Sequence, residues 1–333
     1  MISRPHHRLL PALAIILAFA TWAPTATAVD GSGAISLTIP PSVRGEAMGG
    51  MYASFAQDYS TRWGNPGLLA FVDKSTLGLM YSKLVPDLAD DVFYFYGSWI
   101  VPTSSIGTLQ LDMTYLSYGE SQATGTEAED LGTFNSYEVS PAVGLGFKFL
   151  PNLGVGVTVK YVRVDLAPAR VLQDATGSGS GTGSSWAFDL GAALTLRRLY
   201  VGAVAANLGP DISFIDAEQS DPMPRLARVG AMYDIYASEV GQVRAGFEWE
   251  RSLVVMGSGP FDKNFSVYHV GGEFVYAGMF AVRAGYLHDA GGDVKSATGG
   301  FGFSWANASF EYANAPQAEG LNRLHRLALW YRY

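Results

Sequence analysis

The sequence predicts an all-β fold: a transmembrane antiparallel β-barrel of about fourteen strands with a short N-terminal hatch. Three observations point there. Charged residues make up 16% of the chain, aromatic residues 13%, and glycine occurs 39 times, whereas ordinary soluble domains are about 25% charged. Segment after segment alternates in polarity with period two, as strand side chains do. No apolar run beyond the N-terminal leader reaches the ~18 residues of a membrane-spanning helix.

The first 28 residues read as a secretory signal peptide. Arg4, His6, His7 and Arg8 form a basic start, Leu9 to Ala20 an apolar run, and Ala26-Thr27-Ala28 a small-x-small cleavage site. That run is too short to span a bilayer, which takes ~20 residues. The mature chain is expected to begin near Val29, with a hatch segment over 29–72 and barrel strands over 73–333. Removal of Arg4 and Arg8 takes the 22 basic residues to 20 against 30 acidic ones, a net of −10. Such a balance repels phosphate backbones, which excludes nucleic acid as a partner. With no cysteine, disulfides, thiolate metal sites and a lipid-bearing N-terminal cysteine are excluded as well.

The alternation recurs along the chain. Leu109, Leu111, Met113 and Tyr115 oppose Gln110, Asp112 and Thr114. Val155, Val157 and Val159 oppose Gly156, Thr158 and Lys160. Trp186, Phe188 and Leu190 oppose Ala187, Asp189 and Gly191, and Phe247 and Trp249 oppose Gly246 and Glu248. In a membrane barrel the apolar face meets lipid and the small or polar face lines the lumen; a soluble secreted barrel would reverse them. The connections separate the two. Pro151-Asn152, Arg197-Arg198, Ala237 to Gly241, Ala277 to Met279 and Ala306-Asn307 are short. Gly119 to Tyr137, Ala167 to Ser184, Gly209 to Leu226 and Ser252 to Val267 are long, polar and glycine-rich. Short turns at one end and long loops at the other are the outer-membrane pattern, and short turns facing the periplasm would put both termini there. The last segment alternates Leu327, Leu329, Tyr331 and Tyr333 against Arg326, Ala328, Trp330 and Arg332, a terminal strand of the kind that barrel-assembly machinery reads.

Residues 40 to 72 break the pattern. Gly49-Gly50 permits a backbone that substituted residues would strain, and Pro66 opens a helical turn capped by Asn65. The segment reads as a hatch built on Gly49, Gly50, Trp63, Asn65, Pro66 and Gly67, or as a strand and turn closing the barrel floor. Catalytic chemistry finds no support. The chain has no Gly-x-Ser-x-Gly elbow, and Gly177 to Gly183 has no following Lys-Ser/Thr to make it a phosphate loop. Asp211, Asp216, Glu218 and Asp221 lack the spacing of a calcium loop, so no metal and no cofactor is expected. Asp112, Lys148, Lys160, Asp189, Arg244, Glu248, Glu273, Arg283 and Glu311 fall on lumen-side positions. They could form a polar conduit, but ion pairs fixing the barrel shape are the preferred reading, since buried charges require partners.

Several stretches carry a family resemblance. Arg44-Gly45-Glu46-Ala47-Met48-Gly49-Gly50, followed by Asp58 and by Trp63-Gly64-Asn65-Pro66-Gly67-Leu68-Leu69-Ala70, resembles the opening of the PorV/PorQ family, whose members are similar to the fatty-acid channel FadL. The resemblance continues through Ser82 to Asp91, Leu116 to Glu120 and Lys160 to Val164. It is strongest over Asn207 to Asp216 and reaches Tyr312 to Gln317. The family's usual Asn-Pro-Ala-Gly is Asn65-Pro66-Gly67-Leu68 here, so a detailed hatch mechanism does not carry over. The resemblance implies a fourteen-stranded barrel in the outer membrane of a diderm bacterium and a non-catalytic role. One implied role is an accessory that receives exported proteins at a type IX secretion translocon; the other is a passive channel for hydrophobic molecules such as fatty acids. Expected contacts at the loops are Pro86, Asp87, Asp211, Phe214, Ile215 and Asp216. Leu329, Tyr331 and Tyr333 would engage the assembly machinery, and outer-membrane lipid would surround the wall.

Overall fold

The computed structural model describes residues 33–55, 58–86, 88–103, 106–125, 129–169, 171, 181–214, 220–254, 266–289, 291, 294–317 and 322–333. Fourteen strands close into an antiparallel barrel. In chain order they are β1 (Thr76–Lys83), β2 (Val92–Thr103), β3 (Gly107–Thr124), β4 (Asp130–Leu150), β5 (Leu153–Asp165), β6 (Thr182–Leu196) and β7 (Leu199–Leu208). Two-residue strands β8 (Ile212–Ser213) and β9 (Ser220–Asp221) form a separate ladder within the next loop. The barrel resumes with β10 (Leu226–Ala237), β11 (Gly241–Ser252), β12 (Ser266–Tyr276), β13 (Phe280–Asp289), β14 (Val294–Trp305), β15 (Ala308–Ala315) and β16 (Leu324–Arg332). The seam is β1 on β16, running from Thr76↔Arg332 to Ser82↔Arg326, so every barrel strand has two neighbours and no edge is left open.

The faces are those of a membrane barrel. On β3, Gln110, Asp112 and Thr114 are buried while Leu111 and Met113 are exposed; on β5, Thr158 and Lys160 are buried while Val157 and Val159 are exposed. Leu327, Leu329, Tyr331 and Tyr333 all point outward, and Arg326 and Ala328 inward. Aromatic rings mark the boundary of the apolar band on the long-loop side. Tyr81, Phe93, Tyr115 and Tyr137 follow one another across β1 to β4 with centroids 5.6–5.9 Å apart, and Tyr161 meets Trp186 at 5.2 Å on β5 and β6. Toward the short turns lie Phe147, Phe274, Phe280, Phe303 and Trp305. From Tyr137 to Phe147 on tilted β4 is roughly 25 Å of height, the expected hydrocarbon span. Among the described residues no helix is long and apolar enough to cross a membrane.

The five short connections expected from the sequence all lie at one end. Arg197 and Ala306 take left-handed φ of 48° and 52°, the twist that two-residue hairpins require. The stretch from Gly119 to Tyr137, expected as a loop, is largely strand: β3 continues to Thr124 and β4 starts at Asp130. Gly119, at φ 84°, and a register shift between Ser117 and Glu120 bend the hairpin, so it continues beyond the aromatic boundary, where polar side chains cost nothing. The Gly209 to Leu226 loop does connect β7 to β10, and Ala167 to Ser184 and Ser252 to Val267 fall largely outside the described residues. Both termini were expected at the short-turn end. Tyr333 lies there, its N–H on the Ser75 carbonyl. Gly33, the first described residue, lies at the opposite end, donating to Pro222 O beside β8 and β9. Lys148, expected in the lumen, is exposed at the short-turn mouth, its ammonium 5.8 Å from the Phe71 ring centroid.

A charge on the lipid face tests the orientation. Val157→Arg should lower stability by about 2–4 kcal/mol in a bilayer, measured by denaturant unfolding in phospholipid vesicles; an unaltered midpoint would mean that this face does not meet lipid.

Candidate functional site

Residues 33–55 and 58–72 lie along the inner wall of the barrel. The first turn, Ile35–Leu37, sits at the long-loop end, where the Ile35 and Ser36 N–H groups donate to the Glu138 carboxylate at 3.1 and 2.7 Å. Ala34 and Leu37 pack there with Val162, Val164, Ile212 and Met223. The short helix Val43–Ala47 follows, capped by Ser42 Oγ on Gly45 N–H at 3.1 Å, and lies against β13 to β16. The chain then passes β12, β11 and β7, crosses to β1, β2 and β3 at Tyr59, and ends in the 3-10 turn Pro66–Phe71 on β3 to β7.

The sequence-selected residues hold this path. Gly49 and Gly50 have φ of 80° and 86°, and a Cβ on Gly49 would stand 2.6 Å from Val270 O; no other residue type combines that backbone with that approach. Asn65 is fully buried and fully used. Its Oδ1 accepts from Gly67 N–H at 2.9 Å, capping the 3-10 turn, and its Nδ2 donates to Ala53 O and Ala192 O at 2.8 and 2.9 Å. Trp63 packs edge-on to Tyr52 at 5.2 Å, with the Arg228 guanidinium 4.7 Å from its ring. Pro66 and Gly67 press on the wall: a Cβ on Gly156 would meet Pro66 O at 2.3 Å, and one on Gly67 would meet Gly191 O at 2.9 Å. These six residues are thus brought onto one continuous path, but they form no single cluster.

Sequence reading missed what fixes the path electrostatically. Arg62 is 1% exposed, and its guanidinium donates twice to Asp112 of β3 at 2.5 Å and once to Asp189 of β6 at 3.4 Å. Lys160 of β5 completes the group, 2.8 Å from Asp189. Burial opposes the Arg62 charge, yet Asp112 and Asp189 outweigh it and hold the guanidinium pKa above its ordinary value. Arg44 donates to Glu273 of β12 at 2.7 and 3.0 Å; burial again works against the charge, and Glu273 more than compensates. Glu248 of β11 takes the Tyr52 and Ala53 N–H groups at 2.9 and 2.7 Å. Apart from the exposed Lys148 and from Glu248, which takes backbone N–H groups, the lumen charges are therefore paired, as preferred, but in large part to the segment and not only from wall to wall. The signal was present in part: Arg44 and Arg62 are basic residues in a buried segment, and Gly146, Gly154, Gly156 and Gly191 clear wall for it.

At the loops, Asp211 is exposed and bonded to Arg225, Phe214 packs onto the Ile212 and Met223 cluster, and Pro86 is half-buried in the β1–β2 turn. Asp87, Ile215 and Asp216 lie outside the described residues. At the other end of the chain, Tyr333 accepts a hydrogen bond from Trp99 Nε1 at 3.0 Å. A cavity of about 340 Å³ opens between the short turns and reaches inward to Arg44, Glu273, Arg283 and Glu311.

A closed fourteen-stranded wall, lipid-facing outside and ion-paired inside, defines an outer-membrane β-barrel. The family described as "Type IX secretion system protein PorV" matches residues 26–258, and the chain belongs to that family. Among solved structures it is similar to the Ralstonia pickettii toluene transporter TbuX, with 15% identity and a TM-score of 0.57, covering 89% of this chain and 98% of that one. It is similar too to the P. putida toluene transporter TodX, with 12% identity, a TM-score of 0.52 and coverage of 87% and 98%. These likenesses show the fold. No curated protein matches. Family and fold together give an outer-membrane barrel in secretion or transport.

Two substitutions probe the path. Arg62→Ala leaves Asp112 buried without its main partner and should cost about 3–5 kcal/mol in denaturant unfolding, while Arg62→Met with Asp112→Leu should cost much less; equal losses would deny the pair its role. A Cβ on Gly202 would stand 1.7 Å from Ala53 O. Gly202→Val should therefore leave a folded, heat-modifiable barrel in which limited proteolysis newly cuts near Ala53.

Proposed function

We propose that this chain is a non-catalytic accessory of protein secretion, exported by a signal peptide cleaved near Ala28 into the outer membrane of a diderm bacterium. Its short turns face the periplasm. Its long loops, with Pro86, Asp87, Asp211, Phe214, Ile215 and Asp216, contact a secretion translocon and the exported proteins that it passes on. The family match over residues 26–258 carries this reading. The interior supports it. Residues 33–55 and 58–72 act as a plug, since passage of an apolar solute along the lumen would require Arg44 and Arg62 to leave Glu273 and Asp112. The cavity at the short-turn end is lined by charges and would serve fatty acids poorly. The barrel-assembly machinery would insert the chain through its last strand.

The test is purification of the native protein from its own envelope in mild detergent, with mass spectrometry of whatever accompanies it. A large translocon barrel or exported proteins should be recovered, and recovery should fall at least tenfold when residues 210–222 are replaced by a short Gly-Ser linker that leaves the barrel folded. Stoichiometric fatty acid without protein partners would instead support the FadL-like channel and remove the basis for the secretion role.

A further inference from the structure

The first six described residues of the inner segment are held differently from the rest. From Pro40 onward the chain is firmly anchored. Arg326 of β16 donates to Pro40 O, the Tyr59 hydroxyl donates to Pro41 O at 2.6 Å, and the ion pairs of Arg44 and Arg62 follow. Among the described residues, Gly33 to Thr38 make no ion pair. Their hydrogen bonds to other parts of the chain come from three backbone N–H groups: Gly33 to Pro222 O at 3.0 Å, and Ile35 and Ser36 to the Glu138 carboxylate at 3.1 and 2.7 Å. Two side chains, Ala34 and Leu37, enter an apolar cluster formed by β5, β6 and the β7–β10 loop, where they meet Val162, Val164, Ala187, Ile212 and Met223.

This stretch fits its place poorly. Ala34 takes φ 59° and ψ 60°, a backbone that crowds its Cβ. Ser36 Oγ is fully buried and has no hydrogen-bond partner, which a polar atom away from water requires. Ile35 is left 47% exposed at the long-loop mouth. The receiving side is well formed by contrast. Val162, Ile212 and Met223 are fully buried, and Glu138, 1% exposed, is also held by the Tyr118 hydroxyl. Its two polar groups, the Glu138 carboxylate and Pro222 O, are both acceptors that take backbone N–H groups. A peptide supplies such donors, whereas a fatty acid has none and would set its own carboxylate against Glu138.

We propose that this place is a binding site for a short apolar segment of an exported protein, and that Gly33 to Thr38 occupy it as a displaceable stand-in. The incoming segment sets one backbone N–H on Pro222 O and, two and three positions on, two more on Glu138. It puts a small side chain and, three positions later, a leucine into the cluster. Because anchoring resumes at Pro40, the stand-in can leave while the remainder of the segment stays in place. The identity of the partner rests on the secretion role proposed above, whose loop contacts include Phe214, packed against this same cluster.

The test uses the full chain in lipid nanodiscs and a variant in which residues 33–38 are replaced by a Gly-Ser linker of equal length; heat-modifiable migration reports that each protein is folded. A fluorescein-labelled peptide with the sequence of residues 33–38 should bind the variant saturably and at least tenfold more tightly than it binds the intact chain. Affinity for the variant should fall at least tenfold when the peptide carries Leu37→Ser, and again when the variant carries Glu138→Gln. Absence of saturable binding to the folded variant, or equal affinity for variant and intact chain, would overturn the site. In the native purification, the linker variant should recover at least threefold more exported protein than the intact chain, and excess peptide should elute it. Equal recovery with no elution would overturn displacement by an exported segment. Recovery of no protein from either form, with the peptide binding as expected, would remove the secretion role and the partner named here while the site for an apolar peptide stands.

Discussion

A barrel of fourteen strands encloses more volume than its own inward side chains fill, and something must occupy the remainder or leave it to water. In this chain residues 33–55 and 58–72 run along the inner wall, and the wall is shaped to receive them. Where the segment runs close, the wall carries glycine: Gly156 under Pro66, Gly202 under Ala53, Gly271 and Gly285 under Met48 and Gly49. Where it carries an arginine, the wall carries acid: Asp112 and Asp189 for Arg62, Glu273 for Arg44. Neither the Arg62 nor the Asp112 charge could remain buried without the other. The segment therefore depends on the barrel, and the charges facing the lumen depend on the segment.

Much of this architecture was legible in the sequence. Period-two alternation reports which face a residue takes, because a strand places successive side chains on opposite sides whatever its neighbours are. Turn residues report where strands end, and the contrast of short turns and long loops reports which end is which. The Gly119 to Tyr137 stretch shows where this stops working. Its polar, glycine-rich composition describes exposure to water, and a hairpin projecting past the aromatic boundary is as exposed as a loop. The two differ in backbone pairing, which composition does not encode.

Partners across the lumen were illegible for a different reason. Arg44 and Glu273 are 229 positions apart, and nothing near either residue distinguishes this pairing from pairing with any other lumen charge. Alternation identified Glu273, Asp112 and Asp189 as inward-facing, which is half of the information. The other half is the route of residues 33–72, set by contacts with many strands at once. The position of Gly33 at the long-loop end follows from that route, which starts beside Glu138 and descends to β1, and local pattern carries no trace of it.

The way the segment is held bears on what it can do. The wall is a closed ladder of backbone hydrogen bonds, and no strand can shift alone without breaking pairing on both sides. The segment is fastened mainly by side chains and turn contacts: the Ile35 and Ser36 N–H groups on the Glu138 carboxylate at its start, the two arginine groups in the middle, and Asn65 near its end. These fastenings are discrete, and none of them is a strand-to-strand bond of the wall. The segment also reaches from the cluster beneath the long loops to the charged cavity between the short turns. Contacts at both ends of the barrel are thus joined through the first part of this segment, with the Ile35 and Ser36 N–H groups held by Glu138 at one end and Arg44 held by Glu273 toward the other.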